Sequence, residues 1–344
     1  MSQISTLTSE QSLMVKNLSL VISRKERYKV LCATDNSVPM FMQPWWLDAV
    51  CKKTTWDVCV SFDNAGEING ALIYYKVKLR GLVTAIVMPE LTPYTGIWLK
   101  LTKVQKLKKH SEYTDAKKIV SVLVEQIPKV SFFHQKLNYE LTDWQPFFWA
   151  GYQGQIHYTY TLDLTDTGKV YADMKGSVRT AIKKANTRVK VELCENINEF
   201  YTLCKKSLEK QGAKQPFLFE TLISLDIVLR QRDCRKIFLA RDTAGNAHGA
   251  VYIVYDNLKK SAHYLIGGSN PELRQSGAVM LLLWSAILDA GNRGYTLFDF
   301  EGSMIPNVEN AFRNFGATQT PFFRITKSQN KFLYILTLFF PNYK

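Results

Sequence analysis

The chain has 344 residues, of which 46% are hydrophobic and 22% charged, and its formal net charge is +14. This length allows two domains of ordinary size, and the composition excludes a disordered chain. Its apolar runs fall short of the ~20 residues that span a bilayer, and polar residues 1–16 lack the apolar segment of a signal peptide. We therefore expect a cytoplasmic protein without stable membrane insertion, although the apolar stretch Phe332–Phe340 leaves a peripheral membrane contact open.

The residue types that metal and hydrolytic enzymes need are scattered. The six cysteines form no C-x-x-C pair, which is typical of reduced thiols and not of a disulfide framework or zinc site. No Walker loop, G-x-S-x-G, H-E-x-x-H or EF-hand pattern occurs, so we predict no metal. The positive charge favours an anionic partner, which could be nucleic acid, a phosphorylated substrate or a membrane surface.

The first half of the chain predicts a mixture of strands and helices. Short apolar segments at Asn17–Ile22 and Tyr28–Cys32 precede a helix that begins near Pro44 and ends at Val50. A loop rich in turn-forming residues contains Tyr94 and Gly96. The later helix covers Asp115–Gln126, and the predicted strands are Val58–Phe62, Ala71–Lys78, Leu82–Val87, Val130–Leu137 and Ile156–Leu164.

A similar arrangement returns 179 residues later, which indicates a duplication. One strand, a turn and another strand recur with identical residues at five positions: Asp63, Ala65, Gly66, Gly70 and Ala71 match Asp242, Ala244, Gly245, Gly249 and Ala250. One hairpin could match by coincidence, but the order of the later elements matches as well. We therefore predict two copies of one fold, at residues 1–160 and 161–344, with a strand at Ile156–Leu164 closing the first copy.

The second half holds the segment around which we interpret the chain. Helices are predicted at Ile197–Gln211 and Phe217–Arg232. Then come a strand at Ala262–Ile266, a mostly apolar helix at Ala278–Ala290 and a strand at Tyr295–Phe300. A strand, helix and strand of this length predict two parallel strands with a buried helix. The last predicted strand is Pro321–Lys327.

Ligands of open α/β sheets bind beyond the carboxyl ends of the strands, which here are Gly267-Gly268 and Glu301-Gly302. Glycine lets a ligand approach the main chain, and free N–H groups at Gly277 and Ala278 suit a phosphate. Arg274 could add a charged contact. The alternative is that these glycines only form turns and that Arg274 is a solvated loop residue.

Three titratable residues near these strand ends are candidates for catalysis: Asp299, Glu301 and Tyr264. A carboxylate at a strand end serves as a general base when burial raises its pKa. The alternative for Asp299 is that it caps a helix or fixes a loop.

A basic helix is predicted within residues 175–190. Apolar residues at helical spacing form one stripe, and Arg179, Lys183, Lys184 and Arg188 occupy the remaining surface without an acidic neighbour. Such a face is either solvated or an anion-binding edge.

These features together resemble a known family. The segment Arg274-Gln275-Ser276-Gly277-Ala278 resembles the acyl-CoA-binding segment of the GNAT acyltransferases, although Val279 replaces the usual small residue. The duplicated layout resembles the tandem-GNAT group, which includes the Fem-type aminoacyltransferases. Arg179–Ala185 and Phe298–Gly302 are similar to segments of that group. The resemblance implies an α/β fold (α+β mixed sheets) with two tandem GNAT-like domains.

The resemblance also implies roles for the candidate residues. The second copy would bind acyl-CoA, such as acetyl-CoA, as co-substrate through the main chain at Ile266, Gly267, Gly268, Gly277 and Ala278, with Arg274 beside it. Tyr94 and Gly96 of the first copy, with Trp45 and Trp46 nearby, would form the acceptor side. Arg179 could hold an acceptor phosphate, with Lys183 on the same helix.

Three functions remain open at this stage. The first is an acyltransferase that acts on an amine of a sugar, peptide or cell-wall precursor. The second is a Fem-like enzyme that uses aminoacyl-tRNA, which the net charge supports, although the helical hairpin that some Fem enzymes insert is missing. The third is a non-catalytic binding protein that retains the fold.

Overall fold

A computed structural model describes residues 23–51, 55–79, 81, 83–100, 109–210, 212–302 and 304–329. The predicted apolar segments Asn17–Ile22 and Phe332–Phe340 lie outside these ranges. Among the residues described, no helix is both long enough and apolar enough to cross a membrane.

The described part of the first half begins with a helix that a serine side chain caps. Ser23 accepts a hydrogen bond from the N–H of Glu26, so the predicted apolar segment Tyr28–Cys32 lies inside a helix. Pro44 opens the next helix, as predicted. The elements are α1 Arg24–Thr34, α2 Pro44–Val50, β1 Trp56–Phe62, β2 Ile68–Leu79, β3 Val83–Val87, β4 Ile97–Leu99, α3 Lys109–Glu125, β5 Phe132–Lys136, α4 Gln145–Trp149 and β6 Gln153–Asp163.

The second half contains the predicted strand, helix and strand. The polar loop after the first of these strands is a 3-10 helix, Pro271–Ser276, that begins at the capping side chain of Asn270. The elements are α5 Thr167–Asp173, α6 Gly176–Asn186, β7 Lys190–Leu193, α7 Ile197–Glu209, α8 Phe219–Gln231, β8 Arg235–Arg241, β9 Ala247–Asp256, β10 Ser261–Ser269, α9 Ala278–Asn292, β11 Leu297–Asp299, α10 Pro306–Arg313 and β12 Thr318–Ser328.

The described strands form one mixed sheet in the order β1-β2-β3-β5-β12-β6-β11-β10-β9-β8-β7, with β4 paired to β2. β10 and β11 are parallel, as predicted, and so are β3 and β5. The buried helix α9 covers the second half of this sheet, and its core side chains include Leu282 and Ile287. The mixed α/β fold class that we predicted is confirmed.

Apart from the edge strand β7, the sheet is symmetric, with four strands on each side of the central pair β12 and β6. β12 pairs with β5 and β6, and β6 pairs with β11 and β12. The prediction that Ile156–Leu164 closes the first copy is therefore wrong, because that strand joins strands of the second half. Each half contributes one central strand to the other, and the division at residue 160 stays a proposal.

The two matched hairpins have the same local geometry. Asp63 accepts from the N–H of Ala65 at 2.9 Å, and Asp242 accepts from the N–H of Ala244 at 3.0 Å. Gly66 and Gly245 both have positive φ, at 81° and 85°. The strand register also shifts at equivalent places in the two hairpins, as expected for copies of one unit.

Candidate active site

A cleft opens where β10 and β11 separate. These strands pair only through Ser261–His263 and Leu297–Asp299, and beyond them a cavity of about 1330 Å³ lies between the two halves. Its lining includes Tyr94, Lys136 and Tyr139 from the first half and Tyr264, Ile266, Gly267, Asp299 and Glu301 from the second. This position, beyond the carboxyl ends of parallel strands, is the one that α/β folds use for ligands.

A bulge in β10 faces this cleft. Tyr264 pairs with Ile253 and Ile266 with Tyr252, so that Leu265 between them has no partner on β9. A bulged residue leaves the strand ladder and re-aims main-chain groups. Leu265 lies beyond His263, the last residue of β10 that pairs with β11, and it lines the cleft.

A histidine and a glutamate form the polar centre of the site. His263 Nδ1 lies 2.6 Å from Glu301 Oε1, and His263 Nε2 lies 2.8 Å from the hydroxyl of Ser261. The His263 side chain is 3% exposed and that of Glu301 is 12% exposed, so only Glu301 retains appreciable access to the cleft. The arrangement orients the Glu301 carboxylate toward a substrate in the cleft.

Asp299 fixes the turn that carries Glu301. One carboxylate oxygen of Asp299 accepts the main-chain N–H of Glu301 at 2.8 Å and the hydroxyl of Thr159. The side chain is buried, although its residue borders the cleft. Of the two roles considered for Asp299, these contacts correspond to the loop-fixing one.

The charges of this centre act on each other. Burial, and next the charge of Asp299, raise the pKa of Glu301 to about 7, against the opposing effect of His263. Burial also raises the pKa of Asp299. Burial disfavours charged His263, but the hydrogen bond with Glu301 together with the charges of Glu301, Asp299 and Asp256 outweighs this and raises the His263 pKa. Glu301 can therefore accept a proton near neutral pH.

Two tyrosines complete the cleft. Burial raises the pKa of Tyr264, whose hydroxyl lies against Gly267, so the phenol stays protonated. Burial, and next the charge of Glu301, raise the pKa of Tyr94. The Phe41 ring packs edge-on against both Tyr94 and His263, at centroid distances of 4.9 and 5.1 Å. Tyr94 of the first half and Glu301 of the second thus share one site.

The same centre has a donor set that a metal could use. Ligand atoms of His263, Asp299 and Glu301 lie within 4.8 Å of one another. The hydrogen bonds of these groups to each other, Ser261 and Thr159 already satisfy most of the atoms concerned. A metal is therefore not required to explain why these groups are buried together.

The predicted donor-loop residues Arg274, Gly277 and Ala278 are not among the residues that line the cleft. The 3-10 helix ends at Gly277, whose φ is 74°, and Gly277 packs on the main chain of α6 near Ala181. The N–H of Ala278 is held by the hydroxyl of Ser276 at 3.3 Å, and Arg274 is exposed. A phosphate at this helix end would replace the Ser276 contact and have Arg274 nearby.

Close packing explains the other predicted glycines. A side chain at Gly268 would overlap the main chain of Cys204 in α7. A Cβ at Gly96, where φ is 82°, would lie 3.0 Å from the main-chain nitrogen of Asn138. Neither Gly268 nor Gly96 borders the cleft. Their glycine identity follows from contacts within the protein.

The basic helix α6 lies away from the cleft floor. The Arg179 guanidinium donates to the carbonyls of Tyr171, Ala172 and Met174, where it holds the end of α5. Lys183 is exposed, and the predicted apolar stripe of α6 is buried or half-buried. α6 packs on α9 and on the 3-10 helix, and Arg188, which follows α6, donates to the carbonyl of Gln275 beside Arg274.

Sequence reasoning missed His263 and Lys136. His263 could have been found from the predicted parallel pairing of β10 and β11, because it lies directly opposite Asp299 in that pair. Lys136 lies at the end of β5, and its place in the cleft depends on the unpredicted neighbour β12. Trp46, expected near the acceptor cleft, is buried, and its ring N–H donates at 3.0 Å to Thr92, which lines the cleft.

Comparison with known proteins agrees with this geometry. A family model described as an acetyltransferase (GNAT) domain matches residues 172–309. The fold is similar to that of FemX, with a TM-score of 0.61 at 13% identity over 92% of this chain and 98% of that one. No curated protein matches the sequence.

Two further solved structures share the fold. One is the C-terminal domain of a protein from Agrobacterium fabrum described as a lysylphosphatidylglycerol synthetase, with a TM-score of 0.51 and 12% identity over 82% of this chain and 87% of that chain. The other is L-PGS from Bacillus licheniformis, with a TM-score of 0.51 and 12% identity over 83% and 89% of the two chains.

The fold and the matched domain define an acyltransferase architecture of the GNAT type. The duplicated sheet and the likeness to FemX over nearly the whole length of both chains show that the fold is of the GNAT/Fem type.

Proposed function

We propose that this protein transfers an acyl group from acyl-CoA to an amine of a sugar, peptide or cell-envelope precursor. The donor acyl group would bind between β10 and β11, and the acceptor amine would enter from the side of Tyr94. The observation that carries this proposal is the opening beyond His263 and Asp299, with the Leu265 bulge on one side and Glu301 on the other.

The equivalent opening in the first half is filled by its own loop. The sulfur of Met88 accepts the N–H of Lys136 at 3.2 Å, and the N–H of Thr95 donates to the carbonyl of Lys136 at 3.2 Å. The Met88 side chain and the main chain at Thr95 thus occupy the space beside β5 that a donor would need. This supports a donor site in the second half alone and an acceptor side formed by the first.

The chemistry requires one proton to leave the amine and one to reach the leaving group. The amine nitrogen attacks the acyl carbonyl as Glu301 accepts its proton, and the carbon–sulfur bond then breaks. Tyr264, which remains protonated, is the candidate donor to the departing thiolate. Main-chain groups at the bulge would stabilise the negative charge on the carbonyl oxygen.

The proposal is tested by thermal unfolding with and without acetyl-CoA. A ligand selective for the native state adds about 2.7 kcal/mol of stability at a hundred times its Kd. We expect a clear upward shift of the midpoint that Arg274→Ala reduces and Lys118→Ala, an exposed lysine of α3, leaves unchanged. No shift with acetyl-CoA or longer acyl-CoAs would contradict the proposal and would favour a binding protein without a donor pocket.

A second candidate is transfer from aminoacyl-tRNA in the manner of the Fem-type enzymes. The exposed lysines of α6 and Arg274 on the adjoining 3-10 helix favour it, because contacts to a phosphate backbone need basic side chains at the surface. Direct binding of aminoacyl-tRNA would then weaken steeply with salt, and Lys183→Ala combined with Lys184→Ala would reduce that slope. Binding that is absent at low salt contradicts this candidate.

A further inference from the structure

The floor of the cleft is made by the central strands that the two halves exchange. Lys136 of β5 and Arg324 of β12 are direct partners across an antiparallel pair. Side chains at directly opposite positions lie on the same face of a sheet. Both side chains therefore belong to the layer that forms the cleft floor, with Lys136 at its surface and Arg324 buried beside it.

Among the residues that the structure describes, Lys136 forms no ion pair. Within the ranges that the structure describes, its ammonium makes no hydrogen bond or ion pair, whereas Lys236 lies 2.5 Å from Asp289 and Lys117 lies 3.3 Å from Asp143. A buried charge is normally paired, because removing it from water costs free energy that a partner offsets. Lys136 is therefore available to form an ion pair with a negatively charged group that enters the cleft.

Arg324 is a positive group close to Lys136. Burial, and next the charge of Arg324, lower the pKa of Lys136. The same two effects lower the pKa of His157 to about 4 and lower that of His134 as well. Glu301 is the acidic group whose charge opposes this effect at Lys136. The cleft thus has a positive end at Lys136 and an acidic end at Asp299 and Glu301.

We propose, on the basis of the function proposed above, that Lys136 binds an anionic group of the acceptor, a carboxylate or a phosphate. The acceptor is then an amino compound that also carries an acid. Its amine lies toward Glu301 and its anionic group toward Lys136. Arg324 is a positioning residue: it is buried next to Lys136 on β12 and adds to the positive potential at this end of the cleft.

The test is thermal unfolding in phosphate or malonate, compared with chloride at the same ionic strength and without any acyl donor. We expect at least one of the two anions to raise the wild-type midpoint by several degrees. Lys136→Met should lose most of that shift, and Lys136→Arg should retain it. Lys78→Met, which removes an exposed lysine from the cleft rim, should behave as wild type.

The two probes separate the two chemistries. A shift with phosphate alone indicates a phosphorylated acceptor, and a shift with malonate alone indicates a carboxylate. Lys136→Met should fold, because it relieves repulsion from Arg324, and circular dichroism verifies this. If it does not fold, Lys136→Gln takes its place.

The proposal is overturned if no anion shifts the wild type, or if Lys136→Met and wild type shift equally. Because no donor is present, this result is independent of the acetyl-CoA experiment. If no anion shifts the midpoint but acetyl-CoA does, the proposal of an anionic acceptor is wrong and the proposed acyl transfer still stands.

Discussion

Glu301 occupies the left-handed region of backbone conformation, with a φ of 60°, and Gly302 follows at 63°. Non-glycine residues are strained there and persist only where their surroundings hold them. Asp299 supplies one restraint through the Glu301 N–H, and Tyr158 of β6 crowds Gly302 so closely that no side chain would fit. The strained turn directs the carboxylate to His263 and the cleft.

Replacement of this carboxylate tests its role as base. We expect Glu301→Gln to lower kcat by roughly 10²–10⁴-fold, the usual contribution of a general base. Steady-state kinetics with an acyl-CoA donor would measure this change in kcat. Glu309→Gln on α10 is the matched control, because Glu309 lies outside the group formed by His263, Asp299 and Glu301. A Glu301→Gln enzyme with wild-type kcat would exclude this residue as base.

The same residue sets the expected pH dependence. Because Glu301 must be ionised to accept a proton and its pKa is about 7, activity should rise with pH through a midpoint near 7. His263 lowers this pKa, so His263→Gln should move the midpoint upward. Asp299 and Lys136 also act on Glu301, and their effects are included in that value. A profile that is flat between pH 5.5 and 8.5 would contradict the assignment.

At the scale of elements, the sequence predicted most of what surrounds the donor side of the cleft. The apolar run within α9 and its flanking strands indicated a buried crossover and two parallel strands, and both are present. The bulge at Leu265 was not predictable, because alternation of side chains does not show where one residue leaves the ladder. The partner of Arg179 was not predictable either. The sequence suggested that this side chain binds a phosphate, whereas in the structure it donates to a carbonyl at the end of α5.

The packing of α7 on β10 provides a test at this scale. A methyl group at Gly268 would overlap the main chain of α7, which cannot move like a side-chain tip. Gly268→Ala should therefore lower the free energy of unfolding by about 1–3 kcal/mol or more. The measurement is urea denaturation.

Gly176→Ala is the control, because Gly176 opens α6 and its added methyl group would lie 3.9 Å from the Arg179 guanidinium, an ordinary van der Waals contact. Alanine in a helix is more stable than glycine by about 0.8–1.0 kcal/mol, so this variant should be neutral or stabilised. Equal effects of the two substitutions would show that the contact between α7 and β10 is not tight.

For the whole molecule, the exchange of β6 and β12 joins the two halves. One hydrophobic cluster also extends across them, from Tyr28 and Trp46 to Leu225 and Tyr252. The sequence repeat indicated two similar units, but it did not indicate that each unit contributes a strand to the other. The periodicity of a strand shows which side chains share a face of the sheet, and it does not show which strand lies next to it. The position of Lys136 beside Arg324 followed from the same unpredicted exchange.

This exchange predicts that both halves unfold together. Loss of either half leaves a central strand of the other without its partner, so one cooperative transition is expected in urea. Fluorescence of the seven tryptophans and far-ultraviolet circular dichroism should give the same midpoint. Two resolved transitions would contradict this coupling and indicate halves that are stable alone.

A crystal structure with acetyl-CoA bound would show where the acyl donor lies. We expect the acetyl carbonyl within hydrogen-bonding distance of a main-chain N–H at Leu265 or Ile266, with its carbon open to Glu301 and the acceptor side of the cleft. The pyrophosphate should lie near Arg274 and the start of α9. A donor bound anywhere else, or crystals that take up no donor at saturating concentration, would contradict the proposed donor site.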